Sequence, residues 1–258
     1  MRKIAAMAPR HRVVLLPGGV LPAEPAYAAL VQILGERVHA VAKDLEVYAG
    51  DQPPRDFSLD VEVEGIVRVA DVHGFDRFHL VGYSGGGASS LAFAALHGTR
   101  LLSLALLEPA WAGNERTPEE EALMEHFRAL EPLPPDQFMA GFVQLQLAPG
   151  VEPPPPPQGP SPQWMAKRPA GLRAFIDAFD NGHLDIEALR AFDRPVYFAL
   201  GSRSNPDYYG RMADRLAAIF PDFSIERFSE RHHFDPPHRI EPERLANSLL
   251  ALWQRGES

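Results

Sequence analysis

The sequence contains no cysteine, which excludes disulfides and any chemistry that needs a thiolate. It has no run of basic residues either: 25 Lys and Arg stand against 34 Asp and Glu, for a formal charge of -9. A surface of that sign repels phosphate backbones and anionic lipid, so neither nucleic acid nor a membrane is the expected partner, and a small molecule is. No apolar stretch approaches the roughly 20 residues needed to cross a bilayer. The basic start is followed only by Ile4 to Ala8, too short for the apolar core of a secretion signal. These absences together lead to the expectation of a cytoplasmic protein.

What is present is a chain of 258 residues with 45% apolar content, enough to bury the core of one large domain carrying an insertion. Val13 to Leu16 reads as a buried strand closed by the turn Pro17-Gly18-Gly19. Tyr27 to Leu34 has helical spacing, and Val38 to Val47 reads as a second strand. Val61 to Ala70 alternates like a strand, yet Ile66, Val69 and Ala70 also share a helical face. A helix is the expectation there, because parallel strands need a crossover. Phe78 to Val81, Leu101 to Leu107, Val196 to Leu200 and Phe223 to Phe228 are further strand runs. Helices are expected over Gly85 to Leu96, Tyr208 to Phe220 and Pro242 to Gln254. Strand, helix and strand recur at intervals suited to a doubly wound parallel sheet.

The chain is organised around Gly82-Tyr83-Ser84-Gly85-Gly86. An apolar strand stops at Gly82 and a Gly- and Ala-rich helix starts at Gly85, so Ser84 sits in a strand-to-helix turn. Glycines two before and two after the serine let such a turn close sharply and push the hydroxyl out of the sheet edge. The helix dipole and the Gly85 N–H favour negative charge on a substrate oxygen there. The turn after the first strand offers a second donor from Gly19, or from Val20, to complete an oxyanion hole.

From 112 to 190 the pattern changes. Thr117 caps a helix over Glu119 to Leu130 with Pro118 at its first position. Pro153 to Pro157 is an extended tie, and helices follow over Ala170 to Phe179 and Asp185 to Phe192. This block reads as a helical cap inserted between two strands, covering the nucleophile. Phe127, Phe138, Phe142, Trp164, Phe175 and Phe179 are its candidates for lining an apolar pocket. The core is then 1–111 with 191–258.

A serine hydroxyl needs a base, and the base needs an orienting group. His232 and His233 follow the last strand, at the edge where the loops of a parallel sheet converge. His232 is preferred as the first loop position, with His233 as the alternate. The same histidines with Asp235 and His238 could also compose a weak metal site. For the acid, Glu108 ends its strand on that edge. Asp207, the first carboxylate after the strand ending at Leu200, is the alternate.

Val13 to Gly19, Gly82 to Gly86, Leu107-Glu108-Pro109 and Arg231-His232-His233 together resemble the α/β-hydrolase family, and within it the capped bacterial serine hydrolases. The resemblance covers nearly the whole chain. It implies a mostly parallel eight-stranded sheet with helices on both faces, the cap inserted before the seventh strand, an acyl-enzyme mechanism, no metal and no organic cofactor. Two departures stand out. Pro17-Gly18 replaces the usual His-Gly of the oxyanion turn. Ser204 or Asn205 stands where the family commonly has its aspartate, and members lacking it tend to use the carboxylate after the sixth strand, which supports Glu108. The function implied is cleavage of a carboxylic ester or related acyl bond. The alternatives are hydrolysis or lysis of a carbon-carbon bond on the same fold, or ligand binding without catalysis.

Overall fold

The computed structural model describes residues 10–155 and 160–258. Ile4 to Ala8 and the end of the proline run, Pro156 and Pro157, lie outside them. Six strands form one parallel sheet in the order β2-β1-β3-β4-β5-β6: β1 His11–Leu16, β2 Val38–Ala42, β3 Phe78–Tyr83, β4 Leu101–Leu107, β5 Val196–Gly201 and β6 Phe223–Phe228. Helices cover both faces, which is why the central strands are continuous apolar runs. Side chains alternate across the sheet. Val14, Leu16, Leu80, Leu104 and Leu106 pack with α2 (Leu59–Val72), α3 (Gly85–His97) and α8 (Arg211–Ile219). Val13, Leu15, Val81, Ala105 and Leu107 pack with α1 (Ala23–Leu34) and α10 (Pro242–Glu257), which the short α9 (Pro237–Ile240) precedes.

The expected parallel α/β sheet is present, but with six strands among the described residues rather than eight. The chain carries six strand-like apolar runs and each one pairs; eight came from the family resemblance, not from a residue run. The strand expected over Val38 to Val47 ends at Ala42. Beyond it Glu62, wholly buried on α2, accepts the amides of Glu46 and Val47 at 3.0 Å each and bends Glu46–Tyr48 into a helical turn. Leu45 and Val47 are therefore apolar because a turn, not a strand, is buried there. The ambiguous stretch from Val61 is helical, with Val63, Ile66 and Ala70 against the core.

Between β4 and β5 lie α4 (Pro118–Ala129), α5 (Pro135–Gln144), α6 (Arg168–Asn181) and α7 (Ile186–Arg190). Thr117 and Glu120 form a reciprocal capping box, the Glu120 amide reaching Thr117 at 3.3 Å and the Thr117 amide reaching Glu120 at 2.8 Å. Helix α5 was not expected from the sequence; its apolar face, carrying Phe138, packs with Met124, Phe127, Leu172 and Ile176 in a core of its own.

Candidate active site

The turn from β3 to α3 holds Ser84 at φ 52° and ψ −116°, a region that costs a non-glycine residue about 1–3 kcal/mol and persists only where its surroundings fix it. Three backbone bonds do so. The Ser84 amide donates to Leu107 O at 3.1 Å, Ala110 N donates to Ser84 O at 2.9 Å and Gly86 N donates to Pro17 O at 3.0 Å. The flanking glycines are sterically required: a Cβ on Gly82 would lie 2.4 Å from Gly86 O, and one on Gly86 would lie 2.5 Å from Pro17 O. The G-x-S-x-G spacing is thus the record of two backbone segments in contact.

Glu108 also leaves its strand with positive φ, 46°, folding its carboxylate back over the end of β5. There one oxygen accepts the Gly201 amide at 2.7 Å and the other faces His233 Nδ1 at 3.0 Å. The opposite ring nitrogen of His233, Nε2, lies 3.1 Å from Ser84 Oγ. The three side chains form one hydrogen-bonded row, all buried. The imidazole is held flat against Tyr209, with ring centres 4.6 Å apart and planes 11° apart. Tyr83 OH donates to the His233 carbonyl and fixes its backbone.

His232, preferred from the sequence, is not the histidine in this row. Its Nδ1 accepts the Phe234 amide at 3.1 Å, and its own amide donates to Asp235. Asp235 N closes the turn onto His232 O at 3.0 Å. That turn commits His232 to the side facing Arg203, and burial holds its pKa below the usual histidine value despite the Asp235 and Glu108 charges. The local signal for this arrangement was Asp235, three residues after His232, a spacing that closes a turn and leaves the next side chain to point inward. Asp207, the alternate acid, is exposed and pairs with Arg211 at 3.3 Å, away from the row. His238 is buried between Tyr27 and Tyr83 with neither ring nitrogen bonded. With Asp235 engaged by His232 and Arg231, no metal-donor cluster of His232, His233, Asp235 and His238 forms among the described residues.

A cavity of about 30 Å³ opens at Ser84, bordered by Gly19 and Gly85. Its wall comes largely from the segment between β4 and β5: Met124, Phe127, Phe142, Leu172, Phe175 and Phe179. No charged side chain lines it. Phe138 lies instead in the segment's own core and Trp164 beside Arg168, so of the six aromatic candidates four reach the cavity. Gly19 is held from behind, its carbonyl accepting Tyr48 OH at 2.7 Å. The Arg168 guanidinium stacks 3.9 Å above the Tyr48 ring.

Residues 13–247 match the sequence description of the alpha/beta hydrolase family. A stretch of 128 residues is 30% identical to monoacylglycerol lipase abhd6-A of Xenopus laevis, covering 48% of this chain and 37% of that protein, so the chain spans well under half of this relative. An esterase from Thermogutta terrifontis superposes with a TM-score of 0.70 at 15% identity, over 96% of this chain and 91% of its own. MenH from S. aureus superposes with a TM-score of 0.71 at 17% identity, over 98% and 97% respectively. At such identities these two likenesses are of fold. No helix among the described residues is long and apolar enough to cross a membrane. The match over most of the chain, on a parallel sheet with a strained serine turn at its edge, makes this protein a member of the alpha/beta hydrolase family.

Proposed function

We propose that the protein is a serine hydrolase that cleaves uncharged small-molecule carboxylic esters through an acyl-enzyme. The observation that carries this reading is the row Ser84 Oγ to His233 Nε2 at 3.1 Å and His233 Nδ1 to Glu108 at 3.0 Å, mounted on a serine turn. Ser84 is the nucleophile, His233 the base and Glu108 the group that holds the imidazole in the tautomer with its proton on Nδ1. As Oγ attacks the ester carbonyl, its proton passes to Nε2. The tetrahedral oxyanion is held by the amides of Gly85 and Gly19, each contributing roughly 3 kcal/mol to the transition state. Collapse expels the alkoxide, which takes the Nε2 proton and leaves as alcohol. Water, deprotonated in turn by His233, releases the acid and restores Ser84.

Residues 112–190 act as the cap in this reading. The apolar, charge-free wall they supply suits an aliphatic or aromatic acyl group; an ionised substituent would lose its hydration there without a partner. The test is fluorophosphonate labelling followed by intact mass, with hydrolysis of p-nitrophenyl esters of increasing acyl length. Wild type gains one adduct, Ser84→Ala gains none, and neutral esters turn over faster than hemisuccinate esters of similar size. An unlabelled wild type would overturn the assignment of Ser84, and turnover confined to carbon-carbon substrates would move the chemistry to the other reading of the fold.

A further inference from the structure

The other edge of the sheet, where the strands begin, holds a second convergence of donor groups that the chemistry at Ser84 does not use. His11 opens β1, His79 is the second residue of β3, and Glu257 ends α10. His11 Nδ1 lies 2.9 Å and His79 Nε2 3.2 Å from the same carboxylate oxygen of Glu257. The three ligand atoms fall within 4.8 Å of one another, and among the described residues this is the one group of three histidine or carboxylate donors so placed. We propose that His11, His79 and Glu257 form a divalent-cation site of the class that takes Zn²⁺.

Four features support it. Two imidazoles and a carboxylate are a donor set suited to zinc and its first-row neighbours. Tetrahedral ligands about 2.0–2.1 Å from a common ion stand about 3.3 Å apart; His79 Nε2 is 3.2 Å and His11 Nδ1 2.9 Å from Glu257 Oε1, so an ion needs only a small outward shift of His11. The far nitrogen of His79, Nδ1, is on Ser103 Oγ at 2.8 Å; a proton there, donated to Ser103, leaves the Nε2 lone pair aimed at the ion, the arrangement by which outer partners orient histidine ligands. The site is also asymmetric: His79 is wholly buried while the Glu257 side chain is 35% exposed. This leaves an entry path and room for water to complete the coordination. The ion would clasp the first strand to the last helical turn, residues 246 apart in sequence, and so stabilise the folded chain.

The test uses tag-free protein stripped with chelator and titrated with Zn²⁺ by calorimetry, with Co²⁺ as a visible-spectrum probe and thermal unfolding in parallel. One equivalent of Zn²⁺ is expected, with a raised unfolding midpoint and cobalt ligand-field bands. His11→Ala and Glu257→Gln, both at the rim of the site, lose the equivalent and the thermal shift. Ser103→Ala weakens binding about 10- to 100-fold, and His233→Ala leaves it in place. The proposal is overturned if wild type binds no equivalent, or if the equivalent survives in His11→Ala and Glu257→Gln. It is equally overturned if the equivalent disappears in His233→Ala, since the metal would then sit at the other edge.

Discussion

Replacing Glu108 with glutamine keeps the side chain's volume, removes its negative charge and changes the hydrogen bonds it can accept, because one oxygen becomes an NH₂ donor. The carboxylate accepts two, from the Gly201 amide at 2.7 Å and from His233 Nδ1 at 3.0 Å. A glutamine has one oxygen and one NH₂. The Gly201 amide is anchored in β5 and can only donate, so the oxygen turns to it and the NH₂ faces His233. Nδ1 must then accept, which moves the ring proton to Nε2 and presents Ser84 with a donor where it needs a base. The corresponding acid-to-amide change in a serine protease triad lowers kcat by about 10⁴ through this tautomer reversal, or about 5 kcal/mol of barrier. Glu108→Gln should therefore fold normally, bind neutral esters with little change in KM and lose three to four orders of magnitude in kcat, read by single-turnover hydrolysis of a p-nitrophenyl ester. Asp207→Asn serves as the control and should be unaffected. A Glu108→Gln enzyme within tenfold of wild type would refute both the tautomer argument and the role given to Glu108.

Three further outcomes follow from the geometry. His232→Gln should retain kcat within a few-fold while His233→Gln loses it almost wholly; the reverse order in an ester assay would restore His232 as the base. Tyr48→Phe removes the bond to the Gly19 carbonyl, worth about 1 kcal/mol, so kcat should fall about fivefold with KM little changed, and unaltered kcat would mean that Gly19 needs no support. His238 has its pKa pushed down to about 3 by burial, with Arg239 and His233 adding to the effect. The unfolded chain takes up a proton near pH 6.5 that the folded one refuses. Stability linked to this group is therefore intact above pH 6.5, is lost as pH falls towards 3, and is down by about 2 kcal/mol at pH 5. His238→Phe should lessen the loss of urea stability between pH 7.5 and 5 by that amount, and an unchanged pH dependence would show that the ring is not held neutral.

The sheet core and the serine turn were legible because local chemistry marks them: short β-branched or leucine-rich runs bounded by Gly or Pro, such as Val13 to Leu16 and Val196 to Leu200, read as buried strands, and the spacing of Gly82 and Gly86 about Ser84 reflects a backbone contact. Glu108 was legible as a carboxylate ending a strand. The choice between His232 and His233 was not, since adjacent residues carry the same composition, and the outcome depends on Asp235 closing a turn and on Tyr209 stacking from another strand's loop. The boundary of β2 was hidden for a similar reason, because the turn beyond it is held by Glu62, sixteen positions from Glu46 and fifteen from Val47. Helix α5 begins at Pro135 after another proline, Pro134, so its start resembles a loop. The cluster of His11, His79 and Glu257 has no sequence signature, as its members meet only once the first strand and last helix are packed.

Gly171, in the first turn of α6, lies against the Tyr48 ring so closely that a Cβ there would fall 2.0 Å from a ring carbon, and Leu172 beside it lines the cavity. The helix that shapes the cavity wall is therefore in register with the tyrosine bonded to the Gly19 carbonyl. For anyone redesigning substrate preference, this divides the wall into two kinds of position. Phe127 and Phe142, carried by α4 and α5, pack on each other in the segment's own core, so changes of their size act on that packing and not on the Gly19 turn. Library members altered at 168–172 will mix changes of selectivity with changes of turnover, and selection on rate will tend to discard them before their selectivity is seen.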